Sequence, residues 1–164
     1  MKKKAAILVG VVGAILGTVG LFKSSIDKIE KIKKLETLNY KNDAILKVFT
    51  KWLKLKQDGN SVAEYLSKKG YKTIAIYGMH YLGECLLEEL KDSEIEVKYA
   101  IDKNADQILA DVDMYTLDDD LSEVDAIIVT AFWFFEEIVS SIRERVNCSI
   151  ISLEDVFYEI ECNE

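Results

Sequence analysis

The chain has 164 residues, 49% of them apolar, and a net charge of −8; that length holds one core of about 100–150 residues plus an appendage. The charge is divided: residues 1–71 carry 15 lysines against 6 carboxylates, a net of +9, and residues 72–164 carry 6 basic against 23 acidic side chains, a net of −17. The acidic part excludes nucleic acid as a partner, because duplex binding rests on Lys and Arg neutralising phosphates, whereas the basic third suits an anionic membrane face.

After Met1-Lys2-Lys3-Lys4 come eighteen residues, Ala5 to Phe22, with no charge and only Thr18 polar. As a helix this run is about 27 Å long, near the hydrocarbon thickness of a bilayer. A transmembrane anchor over 1–22 is therefore expected. A cleaved signal peptide is the rival reading, against which stand the length of the run and the lack of an Ala-x-Ala site. Gly13 and Gly17 form a small-xxx-small pair, the kind of face through which two membrane helices form a homodimer. Lysines flank the run on both sides, with more after it (Lys23, Lys28, Lys31, Lys33, Lys34). That bias predicts a single-pass protein of the inner (cytoplasmic) membrane with its C-terminal domain in the cytosol.

Residues 23–70 read as a basic helical lead-in. Ile26, Ile29, Ile32, Leu35 and Leu38 recur every three positions among lysines, as in a spacer or a surface-lying, self-associating helix. Asn42 or Asp43 is expected to cap a new helix with the face Ile45, Val48, Phe49 and Trp52, ending near Gln57-Asp58-Gly59. Trp52 reads as core. Ser61-Val62-Ala63-Glu64 is a capping box opening a short helix that stops at Gly70.

Residues 71–164 alternate strands with helices, which specifies a parallel sheet. Thr73-Ile74-Ala75-Ile76-Tyr77 is an apolar strand, and Gly78-Met79-His80-Tyr81-Leu82-Gly83 turns into a helix over Leu82–Lys91. Val97 to Asp102 is the second strand and Asp113–Thr116 a short third. Asp118-Asp119-Asp120 reads as a solvated turn and helix start. Val124–Ala131 is a buried strand, Phe134–Val146 a helix, Ser149–Leu153 the last strand and Glu154–Cys162 a closing helix. The predicted fold is a Rossmann-like α/β sheet of about five strands, order 3-2-1-4-5, with helices on both faces.

The glycine turn followed by a helix is the layout that seats a phosphate on unpaired amides. Asp102, 24 positions beyond Gly78, stands where a ribose-binding carboxylate is expected; a solvated strand end is the other reading. In the pattern Gly-x-Gly-x-x-Gly the middle position here is His80, whose side chain crowds a pyrophosphate. The candidate site comprises Gly78, Met79, His80, Leu82, Gly83, Asp102, Lys103, Thr130, Ala131 and Phe132. In the run Phe132-Trp133-Phe134-Phe135 most rings are expected in the core, with one or two facing the crevice. Catalytic residues are not identifiable: His80 has no assignable partner, and Tyr65-x-x-x-Lys69 and Tyr99-x-x-x-Lys103 fall where a short-chain reductase does not use them. Cys85, Cys148 and Cys162 lack any Cys-x-x-Cys spacing, so no metal is expected.

From Asn42 to Tyr158 the chain resembles the NAD(P)-binding Rossmann-like domains of bacterial polysaccharide and nucleotide-sugar proteins. The stretches that carry the resemblance are Ile76-Tyr77-Gly78-Met79, Leu82-Gly83, Tyr99-Ala100-Ile101-Asp102-Lys103-Asn104 and Ile150-Ile151-Ser152-Leu153-Glu154-Asp155. The resemblance implies an NAD(P) or nucleotide-sugar ligand and a polysaccharide-biosynthesis protein partner. The leading expectation is a membrane-anchored sensor or accessory protein. The alternatives are a nucleotide-sugar-modifying enzyme and a degenerate interaction module with no small ligand.

Overall fold

The computed structural model describes residues 2–162, with side chains described from residue 26 onward. The chain divides into two compact units, Met1–Ala44 and Ile45–Glu164. The expected membrane span, residues 1–22, lies outside the residues whose side chains are described. Among the described residues no helix is long and apolar enough to cross a membrane.

Helix α1 runs Lys2–Gln57. The N-cap expected at Asn42 or Asp43 is absent, and both residues lie inside continuous helix. No proline occurs in the chain and no glycine between Gly20 and Gly59, so nothing there favours leaving the helical conformation. In the first unit Ile26, Ile29, Ile32, Leu35 and Leu38 are all 50–54% exposed. A spacing of three precesses by about 60° per step on a 3.6-residue helix. These five side chains therefore wind around the helix between the lysines and build no single apolar face.

The second unit is built on a five-stranded sheet: β1 Thr73–Tyr77, β2 Glu96–Ile101, β3 Met114–Tyr115, β4 Ala126–Val129 and β5 Ser149–Ser152. All neighbours are parallel and the order is β3-β2-β1-β4-β5, the order predicted. Near-continuous apolar strands are what a sheet buried on both faces requires, and alternate residues divide between two cores. Ile74, Ile76, Ala126 and Ile128 face a layer made by the end of α1 (Val48, Trp52, Leu55), α2 (Val62–Lys68), α3 (Tyr81–Leu90) and α5 (Leu153–Cys162). Ala75, Tyr99, Ile101, Ile127 and Val129 face the other side, where α4 (Phe135–Ile142) contributes Ile138 and Ile142.

The two faces are thus covered unequally, for two local reasons. The helix expected at Asp118–Asp120 does not form: Asp119 Oδ2 accepts from the Thr116 N–H (2.7 Å) and hydroxyl (2.8 Å), a local closure that competes with a helical start. The aromatic run begins as a 3-10 turn, Phe132–Phe134, and α4 ends at Ile142, short of the predicted Val146.

Two carboxylates tie elements together. Glu89, near the end of α3 and 7% exposed, accepts from Trp52 Nε1 and, at 2.8 Å, from the Val62 N–H, and faces Lys56 Nζ at 3.2 Å. At the amino edge of the sheet, just before β4, Asp125 Oδ2 accepts from the N–H groups of Lys72 and Thr73, both at 2.8 Å, and from the Thr73 hydroxyl at 3.1 Å. These bonds, the Thr73 N–H first, hold the Asp125 carboxyl below its ordinary pKa.

Two outcomes follow from this packing. Phe157, fully buried, is expected to lose about 3–5 kcal/mol of stability as Phe157→Ala, measured by urea unfolding. Because the folded pKa of Asp125 is depressed, its contribution is present above the unfolded carboxylate pKa and is lost as pH falls through the folded value. Asp125→Asn should flatten the acid limb of melting temperature against pH, and an unchanged slope would count against this account.

Candidate functional site

The carboxyl edge of the sheet gathers the predicted residues at the point where β1 leads one way to β2 and the other way to β4. β1 ends at Tyr77, and Gly78 follows with φ +98°, a region L side chains rarely enter. The Gly78 N–H donates to the Ile101 carbonyl at 2.8 Å and so prolongs the β1–β2 ladder. Its own carbonyl accepts from the Thr130 hydroxyl at 2.6 Å. A Cβ at Gly78 would lie 2.8 Å from that same Oγ1.

Met79 is buried, and its N–H donates to Asp102 Oδ2 at 3.1 Å. His80 is the extended residue before α3, with φ −114° and no side-chain cap bond. It is exposed, and its ring meets that of Tyr81 edge-on at 4.0 Å. The imidazole therefore lies at the surface and does not fill the corner. Helix α3 opens at Tyr81, and the first amides of a helix have no intrahelical acceptor. Leu82 is in the core and offers only its backbone. At Gly83 a Cβ would come 2.2 Å from the Gly78 carbonyl oxygen. No side chain fits there, which is the third-glycine role in this kind of turn.

Asp102 is half-buried at the end of β2. Besides the Met79 N–H, it accepts the Asn104 N–H on Oδ1 at 2.9 Å, closing an Asx-turn. Both oxygens thus already hold backbone. Burial, followed by the charge of Asp102, raises the Tyr77 phenol. Lys103 is exposed on the loop beyond. Thr130, 3% exposed, donates its N–H to the Tyr77 carbonyl at 3.0 Å, and its hydroxyl lies 3.2 Å from the same oxygen. Ala131 Cβ is 3.5 Å from where a Gly78 Cβ would be.

Phe132 stands apart from this group. The 3-10 turn swings Phe132 toward the α3-side core and Phe135 toward the other. Phe132 and Trp133 pack edge to face at 4.9 Å, and Trp133 and Phe134 at 6.3 Å. The rings border a separate cleft of about 400 Å³ at the ends of β4 and β5, together with Glu136, Glu137, Ser152, Glu154 and Asp155. These polar neighbours were not predicted. The signal for them is positional: Val129 is paired with Ser152 across β4 and β5, so whatever follows each strand must meet. Glu136 and Glu137 occupy the first turn of α4, and Glu154 and Asp155 that of α5. Each pair lies against the positive end of its own helix dipole.

Among the described residues no group of three or more His, Cys, Asp or Glu is arranged to hold a metal ion. Cys85, Cys148 and Cys162 are free thiols, and burial raises Cys85 and Cys148 above the ordinary thiol pKa.

Gly83→Ala is expected to destabilise by more than the roughly 1 kcal/mol scale of an ordinary helix substitution, because backbone must move to admit the methyl. Thermal unfolding with hydrogen exchange at residues 78–83 checks this; a stabilised chain would refute the close approach. No protein-family model, curated protein or solved structure matches the chain. The fold itself is an α/β domain on a five-stranded parallel sheet.

Proposed function

We propose that the 45–164 unit binds a nucleotide, NAD(P) or a nucleotide sugar, on the β1–α3 turn and acts as a sensor or accessory domain. The observation that carries this reading is the opening of α3. It offers the amides of Tyr81, Leu82 and Gly83 beside a glycine corner, with the His80 side chain exposed at the surface. Asp102 stands one hydrogen bond from that corner, within the region a ribose would occupy. The apolar run 5–22 with its basic flanks supports anchorage in the inner membrane with this unit on the cytosolic side. The resemblance to Rossmann-like domains of polysaccharide and nucleotide-sugar proteins implies, for a protein so anchored, a role in cell-surface polysaccharide biosynthesis.

A second reading, an interaction module with no small ligand, is favoured by the engagement of Asp102 and Thr130. Both Asp102 oxygens hold backbone N–H groups, and the Thr130 hydroxyl is tied to the Gly78 carbonyl. A nucleotide would have to share these acceptors and donors.

Thermal melting of the full chain in detergent with NAD, NADP and UDP-sugars separates the readings. A ligand at 100 times its Kd should stabilise by about 2.7 kcal/mol. Tyr81 is 60% exposed at the first position of α3, so Tyr81→Glu should not lower the ligand-free melt, since a first-turn carboxylate suits the helix dipole, while it should lower nucleotide affinity at least tenfold, through a carboxylate placed against the phosphate. No shift with any nucleotide sinks the proposal in favour of the module. A shift that survives Tyr81→Glu moves the site elsewhere, and turnover of a UDP-sugar makes the protein an enzyme.

A further inference from the structure

Parallel neighbours are ordinarily joined by a helix that covers the sheet, yet β2 and β3 are joined by residues 102–113 with only a 3-10 turn, Ala105–Gln107. In the order β3-β2-β1-β4-β5 this crossover lies on the same side of the sheet as α3, since both move the chain in one direction. Where the missing helix would lie there is an open cleft of about 610 Å³. Its floor is apolar, with Leu87, Leu90, Ile95 and Val97 all part of the α3-side core or packed on it. Leu109 stands at its edge fully exposed to solvent, at 103% of the reference area.

The rim is acidic. Glu84, Glu88, Glu94, Glu96 and Asp111 line the cleft against one cation, Lys91. Lys91 lies 3.9 Å from Glu88 and 3.7 Å from Asp111, whose side chains are 77% and 88% exposed. Pairs this long and this wet contribute little and leave the rim negative. An apolar floor with a ring of carboxylates fits an amphipathic helix that presents leucines between lysines.

The same chain carries such a face. On the outer side of α1, Leu46, Thr50 and Leu53 follow one another at steps of four and three, with Leu46 65% and Leu53 59% exposed. Lys47 and Lys54 flank them along one side; Lys51 lies close by, paired at 2.9 Å with Glu161 of α5, and α1 itself carries no carboxylate between Ala44 and Gln57. The opposite side of the same segment, Val48, Trp52 and Leu55, is committed to the core. The leucine–lysine face is therefore fixed outward.

We infer that the cleft between α3 and the helix-less β2–β3 connection is a docking surface for a second copy of this chain, which seats the Leu46–Leu53 face of its α1 on the apolar floor with its lysines against the acidic rim. Complementary charge and complementary apolar character, both present in one molecule, carry the assignment. It is independent of any nucleotide at the β1–α3 turn. Because each copy holds one face and one cleft, a two-fold pairing would satisfy both at once.

Zero-length carbodiimide linking of the full chain in detergent, on an equal mixture of isotopically light and heavy protein, tests this. Mixed-isotope links should join Lys47 or Lys54 of one copy to the rim carboxylates of another, and rising salt should reduce them. The charge reversals Lys47→Glu/Lys54→Glu and Glu88→Lys/Glu94→Lys concern exposed side chains, and unchanged melting temperatures confirm that each variant folds. Either reversed chain alone should lose at least tenfold in mixed-isotope links between these surfaces. Combining the two should restore links at the substituted positions, since the reversed face then matches the reversed cleft. Links confined to single copies, yields unaffected by the reversals, or a mixture of the two reversed chains that stays unlinked would each overturn the inference. Association through the apolar run 5–22 alone gives one of those outcomes.

Discussion

The carbonyl of Gly78 is the point on which this fold closes. Gly83 lies on it so closely that no Cβ fits between, and the Thr130 hydroxyl reaches it at 2.6 Å from the neighbouring strand. One oxygen thereby fixes the helix that follows β1 and the loop that follows β4. Since Gly78 also extends the ladder to β2 through its N–H, three strands and a helix are registered at one residue. The positive φ that makes this geometry accessible is open to glycine at little cost and to few other residues.

The parallel sheet was legible because β1 and β4 are runs that only a doubly covered strand can use, and the glycines at 78 and 83 mark the turn between strand and helix. What sequence could not show was where a side chain would compete with a helix for backbone. Asp119 takes the Thr116 N–H and hydroxyl, so an acidic run that reads as a helix start becomes a loop. At Asn42 and Asp43 the error is reversed: good capping residues lie inside helix because nothing nearby breaks it. In the candidate site the glycine corner and Asp102 were legible from spacing. The orientation of His80 was not, since spacing says which position a residue holds and not where its ring points. The use of Asp102 by the Met79 and Asn104 amides was likewise invisible, because it depends on two loops meeting.

Electrostatics separate the helices that open on the carboxyl edge. α4 and α5 each carry two carboxylates in their first turn, whereas α3 carries only Glu84. The dipoles of α4 and α5 are therefore answered from within the chain, and an anion approaching this edge meets repulsion at those two helices. α3 is the exception, and it is also the helix whose N-terminus the glycine turn exposes. With a surrounding net charge of −17 over residues 72–164, such an anion must gain short, directed hydrogen bonds from backbone; long-range attraction does not bring it in.

Glu89 gives α3 a second attachment. At the far end of that helix its carboxylate grips the indole of Trp52 and the first amide of α2, shielded from water apart from the 7% that remains accessible. A pull or twist applied along the end of α1 would reach α3 through one hydrogen bond and one ion pair, and α2 through the carboxylate they share. The seam between α1 and the sheet thus behaves as a mechanical clamp, and the same helix that opens the glycine corner is the one such a force would tug.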